Sequence, residues 1–249
     1  MCFYNPLEQF SINDYLLINT PFYNISITNS GFYIIISAIL MYGILIISIK
    51  KNNIIGDRIS ILTESIYKSI LALVRANIGK ENEIYLSLIL TLFYFILIIN
   101  FVGLVPYGFS PTAHFALTLS LSIMLIIGLT IIGFEKYKLS YFSVLLPSGT
   151  PLGLVPLLVA IELLSYIARA FSLGIRLGAN IKKSHILLNV ISSLTLQIIS
   201  INIIFAILSI IPIVFLVLLM GLEIAVAILQ AYVWCVLTSI YIKDSIVLH

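Results

Sequence analysis

VPLLVAIELLSYIARAFSLGIRLGANI, residues 155–181, is apolar and long enough to lie at membrane depth, yet it carries Glu162, Arg169 and Arg176. These charges recur every seven residues, so on an α-helix they drift by only about 20° per step and share one face. A guanidinium cannot shed its proton to escape burial, as a carboxylate can. Holding one at the centre of a bilayer costs roughly 2.5–3.5 kcal/mol on insertion scales and more in simulations of isolated helices. A charged stripe on such a helix therefore implies a water-filled path or a facing ionisable partner, and the pattern points to ion movement.

The whole chain supports a membrane setting. Of 249 residues 61% are hydrophobic and 9% charged, with mean hydropathy +1.18. Soluble domains carry about 25% charged residues. The length suits five or six short-connected spans and leaves no room for a separate soluble catalytic domain. Cys2 and Cys235 lie near opposite ends, so no disulfide framework is expected. His114, His185 and His249 are too scattered for a zinc cluster. No phosphate-cradling glycine loop occurs. The expectation is a non-catalytic protein with no metal, no cofactor and no nucleic-acid partner. Residues 1–30 contain no Lys or Arg, which argues against a secretory signal and against an Arg-rich presequence.

The spans can be placed in order. The first covers residues 31–49 and is followed by Lys50 and Lys51. Residues 57–78 differ: Asp57, Glu64, Lys68 and Arg75 take one helical face, and Ile59, Leu62, Ile66, Ile70, Leu73 and Val74 another. That is an amphipathic helix lying in the interface. Residues 84–134 form a helical hairpin turned by PYGFSPTAH, with spans at 84–105 and 115–134, closed by Glu135, Lys136 and Lys138. LPSGTP, residues 146–151, is rich in turn residues and separates two halves. The remainder, residues 152–242, exceeds a single crossing of about 20 residues and is read as a hairpin of two long tilted helices. Lys and Arg concentrate between residues 50 and 83 and at 136, 138 and 243, whereas the N-terminal tail and the loop 106–113 have none. The N-terminus is thus expected outside, with the amphipathic helix and the C-terminus inside. The expected fold is a single all-α integral membrane domain over residues 1–249.

Further residues carry chemistry. Gly174 and Gly178 flank Arg176, and with Ala170, Ser172 and Ala179 they keep the helix thin enough for a close neighbour. Asn180 lies one turn beyond Arg176 on its face. On the second long helix Glu223 and Gln230 are seven apart and share a face, with Ala227 between them. A lone carboxylate at that depth is costly unless it is protonatable or wetted. His185 has the ordinary pKa of a proton carrier. Glu162 and Asp244 sit toward the inner ends of the two long helices, Glu223 and His185 deeper or farther out, and Arg176 between the groups. The arrangement suggests two offset proton paths divided by a fixed positive charge.

ELLSYIARAFSLGIRLGAN, GTPLGLVPLL, LEIAVAILQAYVW and the ending YIKDSIVLH, with PLEQF near the start and the PYGFSPTAH loop, closely resemble the subunit a family of F-type ATP synthases in its mitochondrial form. The resemblance implies a membrane stator beside a ring of subunit c hairpins, contacting the peripheral stalk, other Fo membrane subunits and lipid in the mitochondrial inner membrane. Arg176 corresponds to the family's essential arginine, Arg169 to its structural neighbour. His185 and Glu223 match the outer half-channel, Asn180 and Gln230 the rotor-facing side, and Glu162 and Asp244 the matrix half-channel. One departure is IKKS at residues 181–184, where relatives have a small apolar stretch; Lys182 and Lys183 stand close to the outer path. A stand-alone transporter that binds a small anion on Arg176 is the competing reading; it requires internal repeats, and none is evident.

Overall fold

Runs of Ile, Leu, Val and Phe leave the backbone only one way to satisfy its polar groups in lipid, namely helices. The computed structural model describes residues 10–19, 24–50, 57–105, 108–138, 141, 154–200 and 208–246. Among these, α1 spans Asn29–Lys50, α2 Arg58–Asn77, α3 Leu86–Gly103, α4 Phe115–Tyr137, α5 Val155–Ile199 and α6 Ile210–Ile246. Short 3-10 turns at Lys80–Tyr85 and Pro111–Ala113 precede α3 and α4. Five helical stretches are long and apolar enough to cross a membrane, and α2 is not among them. The architecture is an all-α membrane protein with multiple spans, as the hydropathy pattern indicates. The turn-rich LPSGTP segment, Lys51, Cys2, His249 and most of PLEQF fall outside the described residues.

Two features differ from the sequence expectation. A small antiparallel hairpin, β1 (Asp14–Asn19) with β2 (Asn24–Thr28), precedes α1. Its strands are too short for periodicity to reveal, although β-branched residues flank a proline and two asparagines at 19–24. Helix ends also run past their hydropathy limits: α4 reaches Tyr137 and α6 reaches Ile246.

The length of α5 has a physical corollary. Its 45 residues at about 1.5 Å each extend about 68 Å, against a hydrocarbon core of about 30 Å. Only a strongly inclined helix of that length stays at membrane depth. Hydroxyls inside the apolar spans are satisfied within their own helices: Ser37 donates to the Ile34 carbonyl, Thr91 to Leu88 and Ser122 to Leu119. Gly79, at φ 92°, breaks the chain between α2 and the next turn in a conformation that an L side chain rarely adopts.

Two compact units result. The first comprises Met1–Ile44, Tyr94–His114 and Leu177–Ala231. There Asn29 anchors the strand segment: its side-chain amide donates to the Ser11 carbonyl and its backbone N–H to that of Asn13, both at 3.0 Å. Phe109 stacks on His114 with centroids 5.2 Å apart. Burial and the nearby Lys182 charge hold the His114 imidazole below its usual range, against a backbone hydrogen bond at Phe10 that favours the protonated ring.

The second unit comprises Leu45–Phe93, Phe115–Arg176 and Tyr232–His249. Here α2 buries Ile70 and Val74, while its Asn77 amide donates to Ser239 Oγ at 2.7 Å. On its polar side Lys68 pairs with Glu64 at 2.6 Å, and Arg75 with Glu83 at 2.7 Å. Toward the start of α2 the apolar face is open, with Ile59 and Leu62 exposed. The Cys235 thiol, fully buried, donates to the Ile89 carbonyl. At the ends of α4 and α6, Tyr137 and Lys136 both donate to the Ile246 carbonyl.

The closest helix approach in this unit is at Gly174. A Cβ there would lie 2.7 Å from Ser122 Oγ, 2.9 Å from the Thr118 carbonyl and 3.0 Å from Leu119 Cα. Two of those neighbours are backbone, so α4 must move, and overpacking of this kind typically costs about 1–3 kcal/mol. Gly174→Ala is expected to lower the thermal stability and yield of the assembled subunit. Gly128→Ala, where nothing lies within 4 Å, is expected to leave both unchanged. Equal thermal stability of the two variants would dispose of the contact.

Candidate functional site

In the first unit the polar residues of three apolar helices converge. Asn100 from α3, Asn180, Ser184 and His185 from α5, and Glu223 from α6 line a cavity of about 10 Å³. That is room for about one water. Asn100 is 2% exposed, Glu223 5% and His185 7%. Both amide atoms of Asn100, both carboxyl oxygens of Glu223 and Nε2 of His185 are buried with no hydrogen-bond partner among the described residues. Burying such groups dry is costly, and native proteins satisfy them with protein or ordered water. The pocket is chemically a water site. Ala227 also lines it, and its small side chain leaves the space.

The remaining neighbours are apolar or cationic. Phe10 meets the His185 ring edge-on, with centroids 6.3 Å apart at 75°. Lys182 Nζ lies 5.9 Å above the Phe10 ring, and Lys183 is exposed. Neither lysine lines the cavity. Gln230 is 9% exposed, and its Oε1 is buried without a partner among the described residues. It shares the helix face of Glu223 but does not line this pocket.

The second unit holds a different cavity, about 200 Å³, lined by Glu162, Tyr166 and Arg169 of α5, Tyr241 and Asp244 of α6, Phe134 and Thr130 of α4, and Tyr141. Arg169 stands between the carboxylates, 3.9 Å from Glu162 and 3.4 Å from Asp244, and 5.8 Å over the Tyr241 ring. These side chains are 36–41% exposed, so the pairs fix geometry more than they add stability. The Tyr166 hydroxyl donates to the Ile126 carbonyl at 3.3 Å. Burial pushes the Tyr141 phenol above its usual range.

Arg176 lines neither cavity. It is exposed, as is Ile175 beside it. No ion pair to it occurs among the described residues, although Arg169 has two. The reason is position along the helix: Arg176 shares the face of Arg169 to within about 20° but lies two turns, about 10 Å, farther along α5.

The structure therefore gathers Asn180, His185 and Glu223 into one pocket and Glu162 and Asp244 into another, leaving Arg176 on an open surface. Asn100, Tyr141 and Tyr166 are participants that residue patterning alone does not single out, whereas Arg169, placed on the charged face by its spacing, is the bridging member of the second cavity. An amide inside the apolar run FILIINFVG (95–103) is the available signal for Asn100.

The ATP synthase A chain family model matches residues 31–243. The chain belongs to the ATP synthase A chain family. That match contains every candidate site residue except Asp244, which lies one position beyond it, and it excludes the N-terminal hairpin. Curated relatives extend the likeness to nearly the whole chain. ATP synthase subunit a of Zancudomyces culisetae is 57% identical over 254 residues, covering 99% of each chain. The proteins of that name in Podospora anserina and Neurospora crassa are each 47% identical, covering 98% of this chain and 94% and 95% of their own.

Proposed function

We propose that this chain is the proton-conducting stator subunit of a mitochondrial F-type ATP synthase, seated in the inner membrane against a ring of c subunits, the peripheral stalk and other Fo subunits. Its N-terminus then lies in the intermembrane space and its C-terminus in the matrix. Protons enter past His185 and Glu223, with Asn100, Asn180 and Gln230 orienting water and the rotor side. They leave past Glu162 and Asp244, which Arg169 holds apart. Arg176 keeps the passing rotor carboxylate ionised and bars direct passage from one path to the other. The chain makes no ATP itself; it converts the fall of each proton, about 2.3 kcal/mol per 100 mV, into rotation.

The observation that carries this reading is the pair of cavities, each lined by its own titratable groups, together with an arginine that lines neither. The anion-carrier alternative places Arg176 inside a binding cavity and has no such support. Sidedness tests the proposal. In intact inner-membrane vesicles, a cysteine at Asn180 should react with a membrane-impermeant thiol reagent only from the intermembrane-space side, and one at Asp244 only from the matrix side. Reaction of both from one side would rule out two offset paths.

A further inference from the structure

The larger cavity has walls that proton transfer does not require. Water and carboxylates suffice to move a proton, yet the rings of Phe134, Tyr141, Tyr166 and Tyr241 line about 200 Å³ beside Glu162 and Asp244. An apolar cavity of about 150 Å³ accommodates benzene, so there is room for a small organic group. The charges do not balance: two carboxylates face one guanidinium, leaving one formal negative charge. No lysine among the described residues lines the cavity: Lys136 donates to the Ile246 carbonyl, and Lys138 and Lys243 are exposed.

Aromatic faces carry negative potential, and cages of such rings with an acidic member recognise quaternary ammonium groups, which offer diffuse charge and no hydrogen bond. A ring face here already receives a cation, since Arg169 sits over Tyr241 at 5.8 Å. Tyr141 completes the wall by lying on bare Gly133, where a Cβ would fall 2.2 Å from the ring, and by packing on Phe134 with centroids 4.9 Å apart. We propose that this cavity binds a trimethylammonium group, delivered either by a phosphatidylcholine headgroup or by a free choline-type solute. Bound against the aromatic walls beside the Glu162–Arg169–Asp244 bridge, such a group slows proton exit; that consequence rests on the function proposed above, whereas the binding does not.

The intact complex in phosphatidylglycerol nanodiscs, titrated with benzyltrimethylammonium, tests this. One saturable site per complex is expected, weakened about tenfold by Asp244→Asn. Equal binding of the uncharged carbon isostere, or the same affinity in Asp244→Asn, overturns the cage. Loss of the site in phosphatidylcholine nanodiscs assigns it to lipid, and competition by soluble choline alone assigns it to a solute. Should the variant fail to assemble, a 4-azidobenzyl analogue on the unaltered complex decides: labelling of the Tyr141, Tyr166 or Tyr241 peptides supports the site, and labelling confined elsewhere overturns it. Saturable binding with unchanged proton flux keeps the cage and removes Glu162 and Asp244 from the exit path.

Discussion

Replacing Arg176 with alanine is expected to abolish proton-driven ATP synthesis while leaving the complex assembled. The second half of that expectation follows from the environment of the residue. Arg176 is exposed and makes no ion pair among the described residues, so its loss orphans no partner and opens no cavity. The first half follows from electrostatics. A unit charge about 4 Å from a carboxylate, at an effective dielectric near 20, contributes about 4 kcal/mol, or about three pKa units. Without it a rotor carboxylate entering an apolar interface retains its proton and carries it past the release point. Arg176→Lys restores a charge but not a permanent one, because a buried ammonium can be neutralised; it is expected to recover little. The measurement is ATP synthesis by energised vesicles, normalised to the amount of co-purified c-ring. Ordinary synthesis in the alanine variant would end the proposed mechanism.

The second large effect is expected at Glu223. Glutamine has nearly the same shape, so Glu223→Gln keeps the packing of α6 while removing the titratable group from a cavity of about 10 Å³. Both carboxyl oxygens there are buried without a protein partner among the described residues, and Glu223 is the one carboxylate among the described residues that line the cavity, so no second acid there takes over proton transfer. A slowing of roughly 10²-fold is expected when proton-motive force is limiting, in line with the usual contribution of one positioned acid–base group. An unchanged rate under that condition would take Glu223 out of the path.

Most of the helices are legible because each must solve the same problem, burying backbone polarity in lipid, and only unbroken apolar runs solve it. The heptad spacing of Glu162 and Arg169 likewise translates into contact, because it puts both on one face and the long arginine side chain spans the two turns between them. What could not be read depends on chain segments far apart in sequence. Arg169 and Asp244 are 75 residues apart, and nothing local says that the guanidinium will bridge two acids. Asn100 is hidden by the hydropathy of its span. Tyr141 gains its place only because Gly133 is bare. Lys182 and Lys183 stand in sequence beside His185, yet helical phase turns Lys182 to the Phe10 ring and Lys183 outward.

The narrowness of the pocket around Asn100, His185 and Glu223 sets a filter by size. A sodium ion travels with a shell of several waters, and a space that admits about one demands that most of the shell be stripped beforehand. A proton has no such shell to lose, because it is passed between oxygens by exchange of bonds. On the path proposed above, discrimination between the two cations would then arise from dehydration at this constriction.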